Sequence, residues 1–176
     1  MVIEHGPRLQ SGQSVLDFAC GDGGLGRALV SLGIDYRGVD ASTGMVEVAR
    51  RSLGDRITLG TFAYEPPERV DATTIFRSLY LVEDRRAFLS RAHAFTRMKI
   101  VFDLDPRVLS AREVIADTHA AGWARVAVRP FLMPQRRVLP APVQRILDVV
   151  EPLPGAALLT RARSHLVVSA AHDESG

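Results

Sequence analysis

The sequence has few of the residues that build disulfide bonds, thiolate metal sites and membrane spans. Its 176 residues include one cysteine, one tryptophan and one lysine. The single cysteine, Cys20, excludes an internal disulfide bond and a metal site built from several thiolates, and we expect no metal. No apolar run approaches the roughly 20 residues that a membrane-spanning helix needs. Residues 1–10 lack the apolar core of a secretion signal, so we expect a cytoplasmic protein without a membrane partner.

Charge and length favour one globular domain with no nucleic-acid partner. The formal net charge is only +2, although lysine and arginine together number 22. Such a balance does not require a polyanionic partner. A chain of this length with 47% hydrophobic and 24% charged residues is expected to form a single domain over residues 1–176.

Short apolar runs alternate with helical patterns along most of the chain. Five strand-and-helix alternations predict an α/β fold with a doubly wound, parallel sheet and right-handed crossovers. The last apolar run lacks a helical crossover before it, and we expect that strand to run antiparallel. The predicted strands cover residues 14–18, 36–39, 57–59, 72–76, 99–104, 124–129 and 165–170.

The first two predicted helices each carry apolar residues at helical spacing. Ser42 is expected to cap the second helix at its amino end. The positions expected to face the core are Leu25, Ala28, Leu29 and Leu32 in the first helix, and Met45, Val48 or Ala49, and Leu53 in the second.

Glycines and acidic residues follow the first two predicted strands. Residues 17–26 read D-F-A-C-G-D-G-G-L-G, and residues 38–42 read G-V-D-A-S. In an open α/β sheet, ligands bind beyond the carboxyl ends of the strands. Glycines there let the backbone turn tightly and approach a ligand, and Asp40 can accept hydrogen bonds from both hydroxyls of a ribose. The pattern predicts a cofactor that contains adenosine.

The spacing Gly21-x-Gly23-x-x-Gly26 also matches the fingerprint of dinucleotide-binding proteins. A dinucleotide lays an anionic pyrophosphate over this turn, and nearby carboxylates raise its energy. The sequence places Asp17 at the strand tip and Asp22 inside the turn. S-adenosylmethionine carries a sulfonium and an ammonium beside its adenosine, so these two acids favour it over a dinucleotide.

These motifs resemble those of the class I S-adenosylmethionine-dependent methyltransferases. Residues 15–23 read V-L-D-x-x-C-G-x-G, residues 38–45 read G-V-D-x-S-x-x-M, and residues 49–50 read A-R. The resemblance extends over about residues 14–130. It implies a single-domain, Rossmann-like sheet of about seven strands with the last strand antiparallel. It also implies S-adenosyl-L-methionine as the cofactor and an enzyme that transfers its methyl group.

The resemblance implies roles for individual residues as well. Ala19 stands where the family usually has its first glycine, and residues 59–62, L-G-T-F, lack the acid that often holds the adenine amino group. The expected cofactor-binding residues are Asp17, Ala19, Gly21 and Gly23 around the methionine and ribose, Asp40 at the ribose hydroxyls, Ala41 and Met45 along the adenine, Thr61 and Phe62 at its other edge, and Arg77 and Ser78 nearest the sulfonium.

For the acceptor we expect a small molecule, anionic or phenolic. Residues 130–155 form a proline-rich segment with several arginines, and we expect this segment to cover the active site. Asp103 and Asp105 alternate across a strand end, so only one is expected to face the site, and Asp105 is the better candidate. Methyl transfer needs no dedicated base, but for a hydroxyl acceptor the candidate bases are Tyr80, Asp105 and His5.

Two other functions are compatible with these residues. The same glycines would serve a nicotinamide-dependent oxidoreductase, although the sequence lacks a Tyr-x-x-x-Lys pair and Lys99 is its only lysine. A non-catalytic S-adenosylmethionine-binding module would keep the cofactor pocket without an acceptor pocket.

Overall fold

The computed structural model describes residues 2–131 and 165–172, and over these residues it has seven β-strands and four α-helices. Strands and helices alternate through most of this part of the chain. In chain order they are β1 (Ser14–Phe18), α1 (Gly24–Ser31), β2 (Asp35–Asp40), α2 (Thr43–Leu53), β3 (Ile57–Leu59), β4 (Val70–Ile75), α3 (Arg85–Phe95), β5 (Thr96–Leu104), α4 (Ala111–Ala120), β6 (Arg125–Phe131) and β7 (His165–Ala171).

The strands form one mixed sheet in the order β3-β2-β1-β4-β5-β7-β6. Strands β1 to β5 run parallel to one another, and β7 runs antiparallel to both β5 and β6. The predicted α/β sheet and its antiparallel last strand are confirmed. The chain order reverses between β1 and β4, and an open α/β sheet binds ligands in the crevice at such a point.

Alternating residues of each strand face two separate cores, because successive strand side chains point to opposite faces. Phe18 of β1 packs in one core with Phe88 of α3. Val15 of β1 packs in the other core with Leu29 of α1. Asp17 lies two residues after Val15, so its side chain points to the face covered by α1, at the carboxyl end of the strand.

The sequence-based prediction of which face of α1 is buried is partly wrong. Leu29 is buried, but Leu32 is 57% exposed and Ala28 is also exposed. The second buried residue is Gly26, which lies against the ring of Tyr36 in β2. This close approach of helix to strand requires a residue without a side chain, so it sets the rotation of α1 about its axis.

The buried face of α2 is predicted more closely. Ala49 and Leu53 are buried as expected, but the third buried residue is Val46, and Met45 and Val48 are exposed. The shift from Met45 to Val46 is one residue, or about 100° around a helix. Ser42 caps the helix as predicted, because its Oγ accepts a hydrogen bond from the backbone N–H of Met45 at 3.4 Å.

Only residues 130 and 131 of the proline-rich segment 130–155 are described, and the rest of that segment lies outside the described residues. The described chain ends at Phe131 in β6 and resumes at His165 in β7, and these two residues are register partners. Since β6 runs parallel to β1 and β7 antiparallel to β6, both positions lie at the carboxyl edge of the sheet.

Among the helices of the described residues, none has the length and apolar composition to cross a membrane.

We predict that Gly26→Ala destabilises the protein by about 1–3 kcal/mol, because the added methyl would overlap Tyr36 and lie 2.8 Å from Leu53 Cδ1. The matched control is Gly44→Ala in α2, where an added Cβ meets nothing within 4 Å. Alanine there should be neutral or stabilising by up to about 1 kcal/mol. Urea unfolding measures both, and equal free energies of unfolding for the two variants would contradict the packing described.

Candidate cofactor and acceptor site

A left-handed turn joins β1 to α1. The backbone φ angles of Ala19, Gly21 and Gly23 are 52°, 57° and 78°. A Cβ added at Gly21 would meet nothing within 4 Å, so open space borders that glycine, whereas one at Gly23 would lie 2.6 Å from Leu53 Cδ1. Gly21 therefore leaves room for a ligand, and Gly23 lets the turn pack on α2. Ala19 adopts a conformation that costs an L-residue about 1 kcal/mol or more.

Asp40 ties this turn to the end of β2. Its Oδ2 accepts a hydrogen bond from Gly21 N at 2.8 Å, and its Oδ1 accepts one from Ser42 N at 2.8 Å. A carboxylate has about four acceptor positions on its two oxygens. Asp40 therefore holds the turn and keeps acceptor capacity for ribose hydroxyls, the role expected for it.

Asp17 lies beneath the turn and is only 3% exposed. Oδ1 accepts a hydrogen bond from Thr74 Oγ1 at 2.7 Å, and Oδ2 accepts one from Tyr36 OH at 2.8 Å. Burial raises the pKa of Asp17 to about 6; the two hydroxyl hydrogen bonds oppose this shift and the charge of Asp40 adds to it. Both carboxylate oxygens are therefore engaged by protein hydroxyls, and contact of Asp17 with the cofactor stays a prediction.

Negative charge from both acids converges on the turn. The pKa of the Cys20 thiol is raised to about 12, chiefly by burial and further by the charges of Asp17 and Asp40. Cys20 is therefore a protonated, inert thiol at neutral pH. Asp22 contributes less than the sequence predicts, because its exposed carboxylate forms an ion pair with Arg27 at 3.3 Å.

The expected adenine-contacting residues are divided between the surface and the core. Ala41 and Thr61 are exposed, and Met45 is 47% exposed. The ring of Phe62 instead packs edge-to-face on Phe88, with 5.9 Å between ring centroids. Adenine contact by these residues stays a prediction.

A concavity lies at the carboxyl ends of β4 and β5, and β4 is the sheet neighbour of β1. Its volume is about 310 Å³. Both Asp103 and Asp105 line it, so the prediction that only one of them faces the site is wrong. Strand β5 ends at Leu104, and Asp105 therefore lies in the following turn, where strand alternation no longer applies. The full lining is Arg77, Ser78, Leu79, Tyr80, Asp103, Leu104, Asp105, Val108 and Leu109.

The structure brings two of the three candidate bases to this pocket. Tyr80 lines it and is 55% exposed, and Asp105 lines it while accepting two hydrogen bonds from the Arg107 guanidinium. His5 is outside the lining and 5% exposed, with Nε2 3.2 Å from the carbonyl oxygen of Val167. A carbonyl only accepts, so Nε2 carries the proton. Burial, ahead of nearby positive charges, lowers the pKa of His5.

Sequence reasoning missed the residues that hold the acids in place. Tyr36 and Thr74 donate to Asp17, and Asp103 accepts a hydrogen bond from Arg77 N. A signal for Thr74 was present, because two adjacent threonines interrupt the apolar run of β4. Buried polar side chains require hydrogen-bond partners, so such an interruption indicates a polar neighbour on the next strand.

The comparisons with known proteins agree with this site. Residues 15–99 match the model of a family described as a methyltransferase domain, and this range includes the glycine turn, Asp40 and the end of β4. The match supports the predicted S-adenosylmethionine-dependent methyltransferase, an enzyme that uses S-adenosyl-L-methionine as its methyl donor. No curated protein matches the chain.

Solved structures share the fold at low sequence identity. The magnesium protoporphyrin IX methyltransferase of Synechocystis PCC 6803, solved with bound S-adenosylmethionine, is 16% identical with a TM-score of 0.67, over 93% of this chain and 71% of that chain. A complex between the Haloferax volcanii Trm112 methyltransferase activator and a putative methyltransferase is 21% identical with a TM-score of 0.69, over 97% of this chain and 87% of that chain. Phosphoethanolamine N-methyltransferase 2 of Haemonchus contortus, solved with S-adenosyl-L-methionine, is 18% identical with a TM-score of 0.68, over 96% of this chain and 50% of that chain.

The residues present fit this cofactor. Gly21 borders open space, Asp40 has acceptor capacity beyond its two backbone partners, and the acids beneath and beside the turn suit a cation. When bound, S-adenosyl-L-methionine supplies a methyl group on a positively charged sulfur. Within the described part of the chain, no group of three or more His, Cys, Asp or Glu side chains could hold a metal ion.

The raised pKa of Asp17 makes a prediction about stability. Because the pKa in the folded state is about 6 and the ordinary value is 3.8, the folded protein favours the protonated carboxyl. The stability that this proton confers is present below about pH 4 and is lost as the pH rises through 6, by about 3 kcal/mol at most. Asp17→Asn removes the titration, so its stability relative to wild type should increase over this range.

Chemical unfolding between about pH 4 and about pH 8 measures the difference. The control for the loss of one acid is Asp35→Asn, which removes an exposed carboxylate at the amino end of β2, far from the glycine turn. A difference between Asp17→Asn and wild type that stays constant across the range would contradict the raised pKa.

Proposed function

We propose that this methyltransferase acts on a small-molecule acceptor that binds in the pocket between the ends of β4 and β5. The observation that supports this is the pocket itself, which has a volume of about 310 Å³, lies at the end of the strand next to β1, and includes aliphatic residues in its lining. Small-molecule sites are typically concave, largely apolar and about 300 Å³ or more in volume. The pocket lies at the low end of that range and suits a compact acceptor.

The lining favours an anionic or phenolic acceptor. Leu79, Leu104 and Val108 offer apolar contact, and Arg77 offers a positive charge. Two carboxylates share the lining, but Asp105 is paired with Arg107, and Asp103 accepts the hydrogen bond from Arg77 N. The acceptor oxygen or nitrogen forms its bond to the methyl carbon as the carbon–sulfur bond breaks, and the sulfur keeps the electron pair. The protein accelerates this displacement chiefly by holding the reactants in line and excluding water. A phenol proton would pass to Asp105 or to water.

Similar proteins do not decide the acceptor class. Two of the solved structures are a magnesium protoporphyrin IX methyltransferase and a phosphoethanolamine N-methyltransferase, whereas a third is a complex with the Trm112 activator. The small-molecule acceptor in this chain is inferred from the pocket. The cytoplasmic location and the absence of nucleic-acid and membrane partners stay predictions.

Formation of S-adenosylhomocysteine should be seen with the small-molecule filtrate of a cell extract and not with its macromolecular retentate. Val108→Trp should block this turnover by filling the pocket, and it should leave cofactor affinity unchanged. Val128→Trp, at a similarly exposed valine of β6, is the control and should retain turnover. Activity confined to the retentate would contradict a small-molecule acceptor, and no activity with either fraction would favour a non-catalytic binding module.

We also propose that residues 130–155 cover the acceptor side of the site, as the sequence suggested. The support is positional, because β6 ends and β7 begins at the carboxyl edge of the sheet, the edge that holds the pocket. The sequence of the segment adds apolar and arginine side chains suited to an anionic or phenolic acceptor.

Deletion of residues 134–154 should abolish turnover and leave S-adenosylhomocysteine binding within about twofold of wild type. Calorimetry and the filtrate assay measure the two properties. Loss of both would show that the segment supports the fold, and unchanged turnover would show that it has no part in the acceptor site.

A further inference from the structure

The crevice between β1 and β4 is flanked by strained backbone on both sides. Within the described residues, two that are not glycine have left-handed φ angles: Ala19 after β1 and Arg77 after β4, at 52° and 56°. The two strands are hydrogen-bonded neighbours. Glycine adopts this conformation without the penalty that a side chain brings, so an arginine at position 77 lowers stability relative to glycine. Such strain persists where the surroundings impose it, and it clusters at functional sites.

The carboxylate of Asp103 is hydrogen-bonded to the backbone of Arg77. Its Oδ1 accepts a hydrogen bond from Arg77 N at 2.5 Å. Asp103 is 6% exposed in β5, where the preceding residue, Phe102, is the register partner of Ile75 at the end of β4. A hydrogen bond from a backbone N–H to a carboxylate is stronger than one between neutral groups. The bond therefore fixes the direction in which the chain leaves β4.

Arg77 follows the end of β4, between the glycine turn after β1 and the acceptor pocket. It lines the acceptor pocket. Its charge also acts on the glycine turn: the pKa of Asp22 is lowered by the hydrogen bond from Gly24 N and by Arg27, and further by Arg77. Among the described residues the Arg77 guanidinium forms no ion pair within 4.0 Å. Arg77 is exposed, and within the described residues no carboxylate neutralises its charge.

We propose that Asp103 is a positioning residue and that Arg77, held by it, binds a ligand carboxylate at the boundary between cofactor and acceptor. This inference deepens the proposed function and rests on it. Two ligands could supply the carboxylate: the amino-acid end of the cofactor, or an anionic acceptor. A guanidinium binds either one through paired hydrogen bonds, which a lysine cannot reproduce.

Calorimetry with S-adenosylhomocysteine and 5′-methylthioadenosine tests the first source. Both compounds contain adenosine and a thioether, but only S-adenosylhomocysteine has the amino-acid end. If the cofactor supplies the carboxylate, Arg77→Gly should weaken S-adenosylhomocysteine binding about tenfold or more and leave methylthioadenosine binding unchanged. Arg77→Lys keeps the charge without the planar fork and should fall between wild type and Arg77→Gly.

Benzoate, added to the complex with S-adenosylhomocysteine, tests the second source. If the acceptor supplies the carboxylate, wild type should bind benzoate and Arg77→Gly should not, while both bind S-adenosylhomocysteine equally. Thermal unfolding adds an independent readout. Arg77→Gly relieves the strain, so it should keep or raise the melting temperature while binding is lost, a combination that a purely structural role does not produce.

Asp103 variants test the positioning role. Asp103→Leu removes the acceptor and should reproduce the binding loss of Arg77→Gly, whereas Asp103→Asn keeps an oxygen at the Oδ1 position and should restore most of the affinity. The double variant Arg77→Gly/Asp103→Leu should bind no more weakly than Arg77→Gly alone, because one residue acts through the other.

The inference is overturned if Arg77→Gly binds both S-adenosylhomocysteine and benzoate as wild type does. Equal weakening of S-adenosylhomocysteine and methylthioadenosine would also overturn it, since that result indicates damage to the glycine turn. If wild type binds neither adenosyl compound, the cofactor assignment itself fails, and this inference fails with it.

Discussion

The hydrogen bond between Gly21 N and Asp40 joins two strand ends into one cofactor surface. Without it, the turn after β1 would be held mainly by backbone bonds such as that from Cys20 N to the Val39 carbonyl at 3.1 Å. With it, the positions of β1 and β2 in the sheet set the position of the glycines. Asp17 adds support from below through hydroxyls of the two flanking strands, β2 and β4. Three adjacent strands thus hold the turn and its two carboxylates in place.

The same two carboxylates give the turn its electrostatic character. Both Asp17 and Asp40 raise the pKa of Cys20, which lies in the turn, and Asp22 is largely balanced by Arg27. An anionic pyrophosphate would face this charge at short range, whereas a sulfonium and an ammonium are stabilised by it. One strand further along, Arg77 introduces positive charge at the acceptor pocket. In that pocket the charge of Arg77 stands beside the carboxylates of Asp103 and Asp105.

Much of the fold could be predicted from the sequence, as could the places of the glycine turn and Asp40 at the ends of β1 and β2, because strand-helix alternation and glycine spacing are local patterns. Which face of α1 is buried could not, since Gly26 contacts Tyr36, ten residues away, and apolar spacing alone does not record that contact. The acceptor half was also harder to predict. Asp103 meets Arg77 only when β4 and β5 pair, and a residue beyond a strand end, such as Asp105, no longer obeys alternation.

The claim that negative charge at the turn selects a cationic cofactor is tested most directly by calorimetry at about pH 8, where Asp17 is ionised. Asp17→Asn removes the negative charge of this side chain with little change in its shape. The account predicts that wild type binds S-adenosylmethionine and S-adenosylhomocysteine in preference to NAD. It also predicts that Asp17→Asn loses about tenfold or more in affinity for the sulfonium compound and less for the uncharged thioether. Equal affinities of wild type and Asp17→Asn for S-adenosylmethionine would contradict it.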